Sequence, residues 1–391
     1  MNNKSILQKE NLPGSFWGIT TFFNPVGYKN KYANYRLFRE SLNRQGLKLL
    51  AVEVVFSCKD FELKEGYDAD ILVQIIADKN NIMWQKERML NIGLNNLPKD
   101  CDKVTWLDCD VIFKNNNWVE ETSKMLLDYK VVQPFKWAVR LPKGLLDTNP
   151  DDLLIGSLVG QRMNNITMGV YDIGIDSFRK TFSDPGFYGF AWAARKSVFD
   201  KIGFFDKNIM GGGDFIMARA FWGSTNIVEK FYHDKMVSCL KGWMIKIYNN
   251  VQGSVCYIDG DIMHLWHGEE YNKWHKIRRF ILKKYDFDPN KDIVIGNNGL
   301  YLWATNNKFL QKAVNTYFYA RREDNNISSF IYSLFFKLYF YDYFIKNILL
   351  ILNSRCQTIF GYCGVFLKKI SPGLYSKIKP LFPDKNKLSS R

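Results

Sequence analysis

Apolar runs alternate with segments of helical spacing along most of the chain. Residues 16–25 (FWGITTFFNP) are continuously apolar and close on a Pro turn, which predicts a buried strand. Tyr32 to Gln45 has helical spacing and is stopped by Gly46. Residues 47–56 (LKLLAVEVVF) and 70–77 (DILVQIIA) predict two more strands. Residues 82–96 (IMWQKERMLNIGLNN) return to helical spacing, closed by Pro98, and 103–108 (KVTWLD) predict a strand that runs directly into acids. Such alternation predicts a mostly parallel α/β sheet with its ligand beyond the carboxyl ends of the strands. Residues 117–130 read as a helix and 131–134 as a strand. Residues 140–186, richer in Gly, Asn and Asp, suit loops over a site. An apolar strand from Phe187 to Ala194 is followed by a helix, a Gly-rich loop and another helix, and 254–266 reads as the final strand. There is no internal repeat.

The pattern changes at Ile327. Ile327, Phe330, Ile331, Leu334, Phe335 and Leu338 begin a three-four spacing that continues to Leu352 and predicts a long helix. Tyr332, Phe336, Tyr339, Phe340 and Tyr343 make its other faces aromatic, and Lys337, Asp342 and Lys346 interrupt it, which argues against a transmembrane span. A second apolar stretch, Ile359 to Phe366, leads into Lys368 and Lys369. Residues 327–391 hold ten Lys or Arg and two Asp, a large share of the chain's net charge of +15. A helical cap packed on the core is one reading. The charge and the Tyr/Phe density favour the other, an amphipathic tail at an anionic membrane surface. The expected organisation is a polar extension (1–15), an α/β domain (16–290), a connecting segment (291–326) and a basic helical tail (327–391).

Composition narrows the class. With 391 residues, 47% hydrophobic and 16% aromatic, the chain is not disordered, and 27 Gly, 11 Pro and 7 Cys exclude a collagen-like chain or a disulfide scaffold. The cysteines are odd in number without a CxxC pair, which points to a reducing compartment. Met1 to Ser15 lacks the apolar segment of a secretory leader, so a cytoplasmic protein, peripheral on the inner membrane face, is expected. Basic residues before 327 are scattered without an aromatic–basic signature, and no nucleic-acid partner is expected.

Three groups of residues carry candidate chemistry. In WLDCDVIF, Asp108 and Asp110 follow an apolar strand; side chains two apart on extended chain point the same way, about 7 Å apart. Hard oxygen ligands there suit Mg or Mn, and acids delivered by a buried strand need a partner. A solvated turn is the alternative. In MHLWHG, His264 and His267 are two of the chain's four histidines, and imidazole nitrogen suits Mn or Zn; His267, beside Gly268, is the first choice as a ligand. In MGGGDF, Gly211, Gly212 and Gly213 let backbone approach a ligand, and Asp214 follows either as a helix cap or as a general base.

Together and in this order, these pieces resemble a nucleotide-sugar-dependent glycosyltransferase of the GT-A fold, in the beta-1,4-galactosyltransferase group and the family-2-like bacterial and viral enzymes around it. The likeness covers roughly residues 16–285. WQKERMLNIGL (84–94) resembles the helix after the third strand, which implies nucleotide contacts from Trp84 and Lys86, with Arg88 nearby. KDCDKVTWLDCDVIF (99–113) resembles the strand bearing the D-x-D metal motif, implying roles for Asp108 and Asp110. FYGFAWAARKSVFDKIGFFDKNIMGGGDF (187–215) resembles the segment before the catalytic acid, implying Asp214 as base and Gly212 and Gly213 beside the donor. HLWHG (264–268) resembles the late histidine that completes the metal site. Gly213 stands where relatives carry Glu, so the sugar and acceptor are not carried over.

The implied enzyme is an inverting, Mn- or Mg-dependent hexosyltransferase for surface glycan or glycolipid synthesis. It would take a nucleotide-diphosphate sugar, with UDP favoured, and a carbohydrate or lipid-linked acceptor. Tyr188 and Trp192 are expected on the acceptor side, with core packing the alternative for Trp192, and Asn24 near the nucleotide. Two other functions remain in view: a nucleotidyltransferase making a nucleotide sugar, and a non-catalytic basic membrane-associated module.

Overall fold

The computed structural model describes residues 10–56, 60–146, 166–169 and 186–324, together with Ser333 and Phe336. The tail helix, the second apolar stretch and most of 140–186 lie outside the described residues. The chain divides into two compact units, 1–330 and 331–391, and the sheets and their helices belong to the first.

The fold is α/β. Its centre is a seven-stranded sheet built from β1 (Ser15–Phe23), β2 (Lys48–Phe56), β3 (Ile71–Ala77), β4 (Cys101–Leu107), β6 (Val131–Gln133), β10 (Ala191–Arg195) and β11 (Val255–Tyr257), in the order β11-β6-β10-β4-β1-β2-β3. β1 runs parallel to β2 and β4, β2 to β3, and β11 to β6; only β10 is antiparallel to its neighbours. Eight of the nine residues of β2 are buried, as expected for a strand covered on both faces. Helix α1 (Lys29–Arg44) joins β1 to β2. Helix α2 (Lys86–Asn95) packs on β1 and β2, with Gly93 against Ile19, Leu50 and Val52, where a larger residue would collide. Helix α3 (Trp118–Asp128) packs on β6 and β10.

A second, five-stranded sheet lies in the order β5-β12-β7-β8-β9, from β5 (Val111–Phe113), β7 (Trp137–Arg140), β8 (Ile166–Gly169), β9 (Gly186–Phe187) and β12 (Asp261–His264). The run 254–266 is therefore two strands in two sheets. It breaks at Gly260, whose φ of +132° favours glycine. The helix expected after Ala194 is only a short 3-10 turn, Lys196–Val198. The Gly-rich loop leads into α4 (Gly213–Phe221), which packs on α5 (Asp234–Val251). Nor is β12 the final strand. After α6 (His275–Lys284), the hairpin β13 (Ile293–Ile295) and β14 (Tyr301–Trp303) and helix α7 (Lys308–Ala320) fill the segment read as a connector. Among the described residues no helix is long and apolar enough to cross a membrane.

Candidate active site

Parallel pairing sets Thr20 beside Leu107, so the carboxyl ends of β1 and β4 emerge together. A cavity of about 390 Å³ opens there. Thr21, Phe23, Pro25 and Val26 line it from the end of β1, and Asp108, Cys109 and Asp110 from the end of β4. β12 brings the histidines to the acids: His264 is in register with Val111, and Leu265 N–H donates to the Asp110 carbonyl at 2.8 Å.

Asp110, His264 and His267 converge. Asp110 Oδ1 lies 3.6 Å from His264 Nε2, Asp110 Oδ2 3.4 Å from His267 Nε2, and the two Nε2 atoms are 3.2 Å apart. Asp110 Oδ1 is buried without a hydrogen-bond donor. Burial, then the neighbouring Asp108 charge, push the Asp110 carboxyl up to about 7. Burial and the Lys273, Arg321 and Lys31 charges hold His267 well below its usual range, which favours the neutral ring that a metal ligand needs. An orphaned carboxylate oxygen facing two imidazole nitrogens fits a divalent ion, and the two nitrogens favour Mn over Mg. Glu323 Oε1 stands 3.9 Å behind His267 Nδ1, and Lys273 Nζ lies 3.1 Å from its Nε2.

Asp108 is not part of this cluster. Lys86 Nζ takes one of its oxygens at 2.7 Å, and the other accepts the Phe190 N–H at 3.2 Å. Phe190 is held at φ +77°, strained for an aromatic residue, and its ring lies 4.8 Å from that of His264. Lys86 also reaches Asp214, at 3.2 and 3.3 Å to its two oxygens. Lys86 thus bridges two carboxylates, whose charges outweigh burial and hold the ammonium above its ordinary value. Asp214 sits in the first turn of α4 rather than capping it; Gly212, at φ +93°, is the cap. Burial raises the Asp214 carboxyl, Lys86 opposes this, and Asp108 adds to it, for a net rise.

Trp84, Gly212 and Tyr188 line the same cavity. Trp84 stacks near Phe318, and the guanidinium groups of Arg278 and Arg321 lie 6.0 and 5.3 Å from its ring. Four expected residues do not line it. Trp192 is 1% exposed in β10, packed on Phe221 with its indole N–H on the Tyr188 carbonyl, so it is core. The Asn24 amide is consumed in its own turn, accepting from Gly27 and Tyr28 N–H and donating to the Tyr28 carbonyl. Arg88 turns to Gly299 O and Asp206 in a separate cavity. Gly213 faces Glu87: a Cβ there would fall 2.1 Å from Glu87 Oε1.

Sequence reasoning missed Lys31, Arg140, Lys273, Arg278, Arg279, Arg321 and Glu323, all on the cavity wall. The adjacent arginines of WHKIRRF, close after the histidines, were the one local signal.

No family model matches the sequence, and no curated protein shows a significant match. Solved structures do resemble it in fold. The chain is similar to glucosyl-3-phosphoglycerate synthase from Mycobacterium tuberculosis, solved with Mn2+, uridine diphosphate and phosphoglyceric acid, at 13% identity over 72% of this chain and 81% of that one, TM-score 0.37. It is similar to the catalytic domain of Drosophila beta1,4galactosyltransferase 7 at 12% identity over 55% and 62%, TM-score 0.25. It also resembles a glucose-1-phosphate thymidylyltransferase of Bacillus anthracis at 11% identity over 64% and 89%, TM-score 0.30. At these identities and scores the likeness concerns the fold alone.

Proposed function

We propose that the protein transfers a sugar from a nucleotide-diphosphate sugar to an acceptor hydroxyl, with inversion at the anomeric carbon. One observation carries the reading: a single cavity holds an orphaned carboxylate facing two imidazoles and, across Lys86, a second carboxylate of raised pKa. Asp110, His264 and His267 would hold a divalent ion, Mn2+ in preference to Mg2+, and such an ion supplies positive charge to a departing diphosphate. Lys273 shares the His267 nitrogen and would yield it on metal binding.

The donor nucleotide takes the β1 side, at the strand ends where α/β sheets bind such ligands. Trp84 lies on this cavity wall. Asp214 accepts the proton of the acceptor hydroxyl; a carboxyl raised toward the working pH is a better base than a fully solvated one. Lys86 keeps Asp214 oriented through two contacts and balances its charge. Tyr188 lines the wall close to Phe215 and faces the acceptor. UDP-sugars are the first donors to test, and a carbohydrate or lipid-linked acceptor is the expected partner.

The test is a pair of variants. Asp214→Asn should lower kcat by about 10²–10⁴-fold while donor still binds. Asp110→Ala should lose Mn2+ binding, read directly by electron paramagnetic resonance of free Mn2+, and lose metal-dependent donor binding with it. Near-normal turnover in Asp214→Asn would remove the base assignment, and activity untouched by EDTA would remove the metal.

A further inference from the structure

Sugar transfer through Asp110 and Asp214 leaves two charges on the cavity wall without a role. Arg278 and Arg279, neighbours on α6, both line the cavity. Arg278 is 8% exposed, and its Nε has no hydrogen-bond acceptor. Its Nη1 and Nη2 lie 3.2 and 3.5 Å from where Cβ atoms on Gly211 and Gly212 would stand, so the guanidinium lies against the loop that leads into Asp214. Both glycines hold positive φ, +75° and +93°, a backbone that other residues rarely adopt. The Arg279 guanidinium lies over the rings of Phe215 and Phe231, at 4.9 and 4.7 Å, and its Nε is likewise buried without an acceptor. Arg278 hydrogen-bonds the Tyr317 side chain and its charge is felt by Asp214 and Glu87, but among the described residues neither arginine forms an ion pair with a carboxylate.

Adjacent guanidinium groups, largely desolvated and without a directly ion-paired carboxylate, cost free energy that a bound anion offsets. Their planar forks suit the oxygens of a phosphate or a carboxylate. The charge on the wall points the same way. Seven Lys or Arg side chains face four carboxylates, and a divalent ion adds to the excess. A donor diphosphate brings only about two negative charges, so the filled cavity stays positive unless a second anionic group enters.

We propose that Arg278 and Arg279 bind a phosphate or carboxylate group of the acceptor, so that the protein glycosylates an anionic acceptor. This deepens the sugar-transfer reading and rests on it. The donor's diphosphate belongs with Asp110, His264 and His267. The two arginines instead stand beside Gly211 and Gly212, on the approach to the carboxylate that takes the acceptor proton, where an acceptor's anionic group would orient its hydroxyl.

The experiment is calorimetric titration of inorganic phosphate into the full chain, alone and saturated with UDP and Mn2+. Wild type should bind phosphate in both states. Arg279→Gln should weaken phosphate at least tenfold and leave UDP affinity within twofold; Arg278→Gln with Arg279→Gln should abolish phosphate binding. Arg279→Lys, which keeps the charge and loses the fork, should fall between and covers a Gln variant that fails to fold. Unchanged phosphate affinity in Arg279→Gln and Arg279→Lys overturns the proposal. So does loss of phosphate binding once UDP is present, together with a tenfold loss of UDP affinity in Arg279→Gln, because the arginines then serve the donor. Failure of UDP to bind while phosphate binds through Arg279 overturns the acceptor role and the donor reading together, leaving an anion site of another kind.

Discussion

Glu87 shows how a single residue registers its surroundings. It is buried beneath Gly213 beside Lys86 and Asp214, and burial pushes its carboxyl from an ordinary 4.5 up to about 7. The folded chain therefore holds the Glu87 proton more tightly than the unfolded chain. Its contribution to stability is full below about pH 4.5 and is lost as pH rises toward 7. Glu87→Gln should flatten that slope and match wild type near pH 4. At pH 8 it should be the more stable protein, by on the order of 2–3 kcal/mol in denaturant unfolding. An unchanged slope in the variant would mean that another group carries it. At this scale the sequence was informative where a residue type is scarce or a motif is compact. Asp110, His264, His267 and Asp214 all reach one cavity. It was silent where partners are chosen by folding. Nothing local says that Lys86 will bridge Asp108 and Asp214, or that Glu323, 56 residues beyond His267 in sequence, will stand behind its ring.

The elements place these residues through a few tight contacts. The Gly211–Gly213 loop passes over Trp84, and a Cβ on Gly211, at φ +75°, would fall 2.9 Å from the indole. Gly211→Ala should therefore disturb Trp84, lowering donor affinity as well as the melting temperature. A variant that loses stability but binds donor normally would disconnect the loop from the site. Trp192 belongs to the sheet: burial in β10 and contact with Phe221 make Trp192→Ala a large-to-small core change costing roughly 3–5 kcal/mol. That should lower Tm by on the order of 10 °C. Strands β1 to β4 and helices α1 to α3 were legible because each is one uninterrupted run of a single period. The run 254–266 was not, because both of its strands are apolar and only the Asp259–Gly260 turn marks the change of sheet. Period also hid Trp192. An apolar strand looks alike whether its aromatic ring faces a ligand or a helix.

For the whole molecule, charge is the property that reaches beyond the site. The ten basic and two acidic residues of 327–391 predict that the full chain floats with vesicles containing anionic lipid and not with neutral ones, and that moderate salt weakens the association. Removal of 327–391 should abolish flotation; a shortened chain that still floats would contradict this reading of the tail. The positive cavity makes the related expectation that donor binding weakens as ionic strength rises. Both effects depend on summed charge, which the sequence states outright, whereas the position of the cavity depended on the strand order. The most direct measurement is to incubate the full chain with UDP-, GDP- and dTDP-sugars and Mn2+ and identify the cleaved phosphate product. Release of a nucleoside diphosphate from at least one donor, lost on adding EDTA and in Asp110→Ala, is the predicted result. Release of pyrophosphate from a nucleoside triphosphate and a sugar phosphate, with no nucleoside diphosphate from any donor, would contradict it.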